Sequence, residues 1–438
     1  MLSRCLIVAL VLVAPGCATY EGQLRSVHEA FYSGQVAEAE RGLRELIEDS
    51  PPEDKTLLEL ELAAVLHAQG SYAAAAELLV AADERLEVLD YSSAPIEVVA
   101  EFAFAIDDVW RASPPERAMI NTQNMINYLG AGELEEAAVE ARRLMILLSQ
   151  ADLAEDERYG SDFGRGLAGV ILAANGNREE ASDVFAELPP ESGLRPPQDL
   201  ADRGTILVLC QLGRAPIRRQ GHYWITSGGV PHQLNIPVMQ RRPGGASAAS
   251  VTLNGESQGT VPMLFDLGEQ LMKLYKKEFP RLIAAAVTQA VPRAIGAKLV
   301  GKAAEEAMSS EDDNSAEEAT AALVGSLVAF MTESAMALIQ VADVRCWSLL
   351  PGKFAAMRLD VAPGSHQLTV ALTDGRAPLQ LSVVVSPGEL LLVNVVSAMG
   401  GGLPSYPEPR GGDLTYQPAG LKALALLEEA SWLHSELD

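Results

Sequence analysis

Thr205 to Leu212 reads TILVLCQL, a β-branched and apolar run that stops at Gly213. Its length and composition are those of a strand. It also marks where the chain changes character. Upstream, from Tyr20 to about Ser192, apolar residues recur at helical spacing between short turns. The change falls at the proline-rich stretch around Pro196–Asp199, and short strand-like pieces with turn residues follow. Reading outward from that run gives an α+β multidomain chain, helical first and strand-rich second.

In the helical half, four stretches share one spacing: a Gly, an Ala five residues later, then mostly apolar residues nine and twelve after the Gly. They are Gly34-Ala39-Leu43-Leu46, Gly70-Ala75-Leu79-Ala82, Gly132-Ala137-Ala141-Leu144 and Gly176-Ala181-Phe185-Leu188. A Gly ends one helix in a left-handed turn, a small Ala lets the next helix approach, and the later residues line one buried face. The pattern resembles the helix-turn-helix of tetratricopeptide repeats, with GSYAAAAELLVAADERL (70–86) the nearest match. The glycines are 36, 62 and 44 residues apart, so the repeats are degenerate. An extra helix near Ile96–Arg111 is expected in the longest gap. Such a TPR-like α-solenoid implies a protein partner held by the helical repeats.

Beyond Leu212, strands are expected at His222–Thr226, Leu234–Met239 and Ser250–Leu253, with Asn254-Gly255 as a turn. They resume at Ala355–Val361, Gln367–Leu372, Leu379–Val385 and Leu390–Val396, which suggests a β-sandwich or small barrel. SVTLNGESQGTVPM (250–263) and APGSHQLTVAL (362–372) resemble the hairpin and following strand of PEGA domains. Between them, Asp266 to Val341 reads as an inserted set of helices, within a helical stretch beginning at Phe265 and broken by Pro280 and Pro292. The 24 residues Ala319–Ala342 carry one charge, Glu333, and read as a buried helix; their length would also span a bilayer, and a partner-binding helix is the third reading. Gly400–Tyr416 is Gly/Pro-rich and expected to be irregular, with a last helix over Leu421–Leu433.

The first residues carry an address. Arg4 precedes the unbroken apolar run CLIVALVLVA (5–14), too short to span a membrane, and Pro15-Gly16-Cys17 follows. Ala14-Pro15-Gly16-Cys17 resembles the lipobox of bacterial lipoproteins, which implies cleavage after Gly16 and a lipid on Cys17. By resemblance to enteric lipoproteins, Ala18 in place of Asp implies the outer membrane, periplasmic face. The expected division is a signal peptide over 1–16, helical repeats over 17–199, a first β part over 200–265, a helical insertion over 266–342, a second β part over 343–398, and a tail over 399–438.

The 438 residues exceed one ordinary core. A net charge of −26 argues against nucleic acid as a partner, since phosphates would repel the chain. Past Cys17, the only thiols are Cys210 and Cys346, which read either as buried free cysteines or as a pair.

Motifs for chemistry are sparse. Gly255-Glu256-Ser257-Gln258-Gly259 satisfies the hydrolase pattern G-x-S-x-G, but it falls in a hairpin rather than at a strand-to-helix elbow. The six histidines are scattered without metal-ligand spacing, although His222 and His232 could approach each other. No catalytic, cofactor-binding or metal residue is assigned, and no small-molecule substrate is expected. Trp347 beside Arg345 and Asp343 reads as a structural corner, or as a partner-contact cluster of Arg345 and Trp347.

ADVRCWSLLP (342–351) and PGSHQL (363–368) resemble segments of an uncharacterised family of bacterial lipoproteins that pairs helical repeats with a PEGA-like β-domain. The resemblance implies work in the cell envelope. The resulting expectation is a non-enzymatic, membrane-anchored interaction scaffold, in envelope assembly or regulation of peptidoglycan synthesis. The alternatives are an envelope hydrolase built on Gly255-Ser257-Gly259 and a membrane-embedded assembly formed through residues 319–342.

Overall fold

Glycine turns organise the helices. The computed structural model describes residues 20–92, 109–155, 161–189, 192–195, 202–227, 230–284, 286, 342–375, 377–397 and 413–415. Helices α1 (Tyr20–Gln23), α2 (Arg25–Tyr32), α3 (Val36–Asp49), α4 (Pro52–Gln69) and α5 (Tyr72–Ser92) come first. Then follow α6 (Pro114–Ala131), α7 (Leu134–Glu155), α8 (Asp162–Ala174) and α9 (Arg178–Ala186). Gly34, Gly70, Gly132 and Gly176 all have φ between 80° and 85°, a region that other residues enter at a cost. After α4, Gly70 N–H donates to His67 O (3.0 Å) and Ser71 N–H to Leu66 O (2.9 Å), so the last carbonyls are satisfied. Ala39, Ala75, Ala137 and Ala181 are at most 2% exposed and let consecutive helices pack closely. The start of α6 is fixed by Pro114 at its first position and by a Ser113–Glu116 capping box.

Of the helix expected over Ile96–Arg111, residues 96–108 lie outside the described set, and 109–111 are not helical. Trp110 is instead buried, its amide donating to Glu53 O at 3.2 Å.

The strands form three sheets. β1 (Gly204–Leu212), β6 (Met263–Asp266), β7 (Lys353–Val361) and β10 (Leu390–Val396) make one, in the order β10-β1-β7-β6. β4 (Ala249–Leu253), β5 (Glu256–Thr260), β8 (Gly364–Leu372) and β9 (Leu379–Val385) make another, in the order β5-β4-β8-β9. β2 (Ile217–Ser227) and β3 (Val230–Gln240) form a long hairpin, joined in parallel by β11 (Asp413–Thr415). A helix over 267–284, α10, follows β6; Asp266 Oδ1 caps it by accepting the Glu269 amide at 2.8 Å.

The strand alternation of β1 explains why it reads as continuously apolar. Ile206, Val208, Cys210 and Leu212 face the four-stranded sheet of β5-β4-β8-β9, packing with Val251, Leu368 and Val370. Leu207 and Leu209 face the helices, with Phe354 and Ala356 of β7 beside them. The strand is thus buried on both faces, as every residue of it confirms. The chain is layered as helices, central sheet and outer sheet, and one hydrophobic core runs from Leu24 of the helical half to Tyr275 and Phe354 of the second half.

Several expectations change. The strands expected at His222–Thr226 and Leu234–Met239 are each 11 residues long, because antiparallel pairing from Ile217↔Gln240 to Ser227↔Val230 carries Gly221 and Pro231 along. Phe265, expected to be helical, belongs to β6, which pairs with β7 across the insertion. Residues 413–415 of the expected irregular tail form β11. The stretch 319–341 and the final helix over 421–433 lie outside the described residues. Among the described residues, no helix is long and apolar enough to cross a membrane.

Candidate functional site

The segment Ala342–Gly352, which returns the chain from the insertion to the central sheet, lies against the helices. It is irregular, so its backbone groups need partners outside any ladder. The helices supply them. Glu116 Oε1 accepts the Trp347 amide (2.9 Å), and Glu61 of α4 accepts the Ser348 and Leu349 amides at 2.6 and 2.8 Å through its two oxygens. Ser348 O accepts from Tyr32 Oη (3.3 Å) and from Arg242, whose Nε also donates to Ala215 O at 2.7 Å. Arg345 is held by Asp343 and, across to the helical half, by Asp54 at 2.9 Å. Burial works against the Arg345 charge, but these carboxylates outweigh it and hold the guanidinium above its ordinary range.

Ser348 Oγ lies 2.6 Å from Glu61 Oε1 and 2.7 Å from His28 Nε2. A serine between a histidine and a carboxylate invites comparison with a catalytic triad, but the proton direction is wrong. The hydroxyl donates to Glu61, so His28 donates to the hydroxyl and does not act as its base. All three groups are buried, and burial lowers His28 to about 3 and pushes Glu61 up to about 7, the latter against the pull of the Ser348 and Leu349 donors. The cluster is a clamp on the backbone.

A second buried polar cluster joins α4 and α6 to the central sheet. His67 Nδ1 lies 2.6 Å from Asn127 Oδ1, and its Nε2 lies 2.6 Å from Gln211 Nε2 and 3.0 Å from Asn394 Nδ2. Amide NH2 groups only donate, so Nε2 is the acceptor and Nδ1 carries the proton. The ring is neutral, in keeping with a pKa lowered by burial to about 4. Gln211 further accepts from Gln123 at 2.8 Å.

Next to the clamp opens a cleft of about 240 Å³ whose walls include Arg214, Arg241, Arg242 and Lys353, with Asp266 as its one acidic wall. The Arg214 guanidinium stacks on the Tyr32 ring at 3.9 Å, and Arg242 Nη1 donates to the Tyr32 hydroxyl at 2.8 Å. Gly213, Gly244 and Gly245 all have positive φ there. A Cβ on Gly244 would come within 3.2 Å of the Arg214 guanidinium, and one on Gly245 within 2.9 Å of Gly213 Cα.

The residues singled out in the sequence are distributed differently. Cys17 lies outside the described residues. Arg345 and Trp347 are 8% and 2% exposed, so they face inward and make no partner-facing surface; their contact is with the chain's own helices. Ser257 sits in β5, an exposed hairpin strand, where its Oγ accepts the Gly259 amide at 3.3 Å. No strand-to-helix elbow surrounds it. His222 pairs with Asn235 (2.8 Å), while the register sets His232 opposite Ile225. Cys210 and Cys346 are both free and buried, and burial pushes both thiols up to about 12. Among the described residues, no group of acidic, His and Cys side chains could hold a metal ion.

The fragments 250–263 and 362–372 do come together. β4 pairs with β8 from Ala249↔Leu372 to Leu253↔Leu368, and His366 bridges Asn254 Nδ2 (3.0 Å) and Ala362 O (2.8 Å). What the sequence reading missed is Glu61, His28, His67 and the basic cleft. A signal for the last was present: GRAPIRR (213–219) and RRPGG (241–245) place cations beside glycines in a strongly acidic chain. Comparison with protein-family models, curated proteins and solved structures gave no match.

Proposed function

We propose that this chain is a lipid-anchored bacterial envelope protein, tethered through Cys17, that acts as a non-enzymatic scaffold for protein partners. One observation carries the scaffold reading: the helices hold an irregular segment, 342–350, by hydrogen bonds to its backbone through Glu61, Glu116 and Tyr32. Helical solenoids present concave surfaces of this kind to partners. Here that surface is taken by the chain itself, so partners are expected on the outward helical faces and on the outer sheet. The four glycine turns support the TPR-like reading, and the face-to-face packing of the two four-stranded sheets supports the β-sandwich reading. The pairing of the 250–263 and 362–372 strands supports the PEGA-like one. CLIVALVLVAPGC (5–17) supports export and Ala18 the outer-membrane placement, while work in envelope assembly or peptidoglycan synthesis regulation rests on the resemblance carried by ADVRCWSLLP (342–351) and PGSHQL (363–368).

Globomycin treatment of cells expressing the protein is expected to accumulate the unprocessed form, and Cys17→Ser to abolish that sensitivity. Processing unaffected by either would sink the lipoprotein reading. For the scaffold, crosslinking from membranes followed by affinity capture is expected to return the same protein partner in wild type and in Ser257→Ala. A partner-free protein whose Ser257 reacts with a fluorophosphonate probe would favour the hydrolase instead.

A further inference from the structure

The basic cleft beside the backbone clamp is not needed to explain the scaffold. In a chain with a net charge of −26, four cationic residues line one cavity of about 240 Å³ with a single acidic wall, Asp266. Two of the four, Arg214 and Arg242, are buried, at 6% and 7% exposure, and rigidly placed on Tyr32. The other two lie at the rim in exposed ion pairs, Arg241 with Glu269 (2.7 Å) and Lys353 with Asp266 (3.4 Å). Exposed pairs of this kind are weak and exchange readily for a better anion. Glycines at 244 and 245 keep the wall free of side chains where a Cβ would meet the guanidinium or the opposing backbone.

We infer that this cleft binds a small, multiply charged phosphoryl anion, with Arg214 and Arg242 forming its floor and Arg241 and Lys353 closing on it from the rim. Guanidinium forks match the geometry of phosphoryl oxygens, and clustered positive charge in a walled cavity favours more than one negative charge. The volume lies below the roughly 300–1,000 Å³ of pockets for drug-sized ligands, so pyrophosphate or a headgroup phosphate fits better than a nucleotide. The site stands whether or not Cys17 is lipidated.

The test is calorimetric titration of the full chain in non-ionic detergent at constant ionic strength. Sodium pyrophosphate probes the free anion, glycerol 3-phosphate the doubly charged phosphomonoester of a lipid headgroup, and acetate serves as a singly charged control. One saturable site is expected, weakened about tenfold or more in the double variant Arg241→Gln/Lys353→Gln, whose substitutions lie at exposed rim positions. An unchanged thermal transition of that variant shows that the loss is not unfolding. If the rim variant does unfold, Arg241→Gln alone is titrated, with the same loss expected in smaller measure. Tighter saturation by pyrophosphate assigns a free anion; tighter saturation by glycerol 3-phosphate assigns a headgroup. No saturable binding of either, full retention by the variants, or acetate binding as tightly overturns the inference.

Discussion

Glu61 and His67 each sit in a buried polar cluster that ties the helices to the second half, and they respond to pH in opposite senses. Glu61 has its pKa raised by burial to about 7, from an ordinary 4.5, so the folded state holds the proton more tightly. Its contribution is greatest below pH 4.5 and is lost as pH rises through 7. His67 is lowered from 6.5 to about 4, so its contribution is complete above pH 6.5 and is lost as pH falls toward 4. For His67 this amounts to about 3 kcal/mol across that window. His28, lowered to about 3, acts in the same direction. With two histidines against one carboxylate, stability measured by urea denaturation is expected to rise between pH 4 and 6.5. His67→Gln should flatten that rise, and a slope unchanged in the variant would show that the ring is not the titrating group. At pH 7, Glu61→Ala should cost roughly 3 kcal/mol, since it strands the buried Ser348 and Leu349 amides. The buried thiols add a simpler expectation: neither Cys210 nor Cys346 reacts with a thiol reagent until the chain unfolds.

Among the elements, the helix-ending glycines were legible in the sequence because the physics is local. Gly132 sits at φ 81° with no atom near a prospective Cβ, so Gly132→Ala is expected to cost only the backbone term, about 1–2 kcal/mol, read as a small drop in Tm. Gly245→Ala should cost more, because its Cβ would also press on Gly213 and the Ser397 carbonyl. β1 was legible for the same local reason, its apolar run being dictated by burial on both faces. The β2–β3 hairpin was half-legible. Its ends carry Arg218, Arg219, Gly221 and Pro231, which no strand pattern favours, and only the cross-strand ladder with its partner extends them. β11 had no local signal at all, being three residues that are strand only because β2 lies alongside.

In the whole molecule, the helical and strand-rich halves share one core, with the 342–352 segment clamped between them. Calorimetry of the full chain is therefore expected to show the two halves melting together. A separate helical transition would mean that the clamp and the His67 cluster contribute little. Truncation after residue 199 should leave the apolar faces of α4, α6 and α8 uncovered and the fragment prone to aggregate.

Local sequence alone specifies the α+β class, the four glycine turns, the central strand and the turn-bounded strands after residue 353. Each of these follows from periodicity and from residues with restricted backbone preferences, which act over a few neighbours. Long-range packing is what turns Arg345 and Trp347 inward, clamps Glu61 on a backbone 287 residues away, and brings four scattered cations to one cleft. Such contacts form between elements distant in sequence, and no local pattern specifies which polar side chain a buried amide will meet. Their cause is the requirement that every buried polar group find a partner, which is met only once the whole chain has packed.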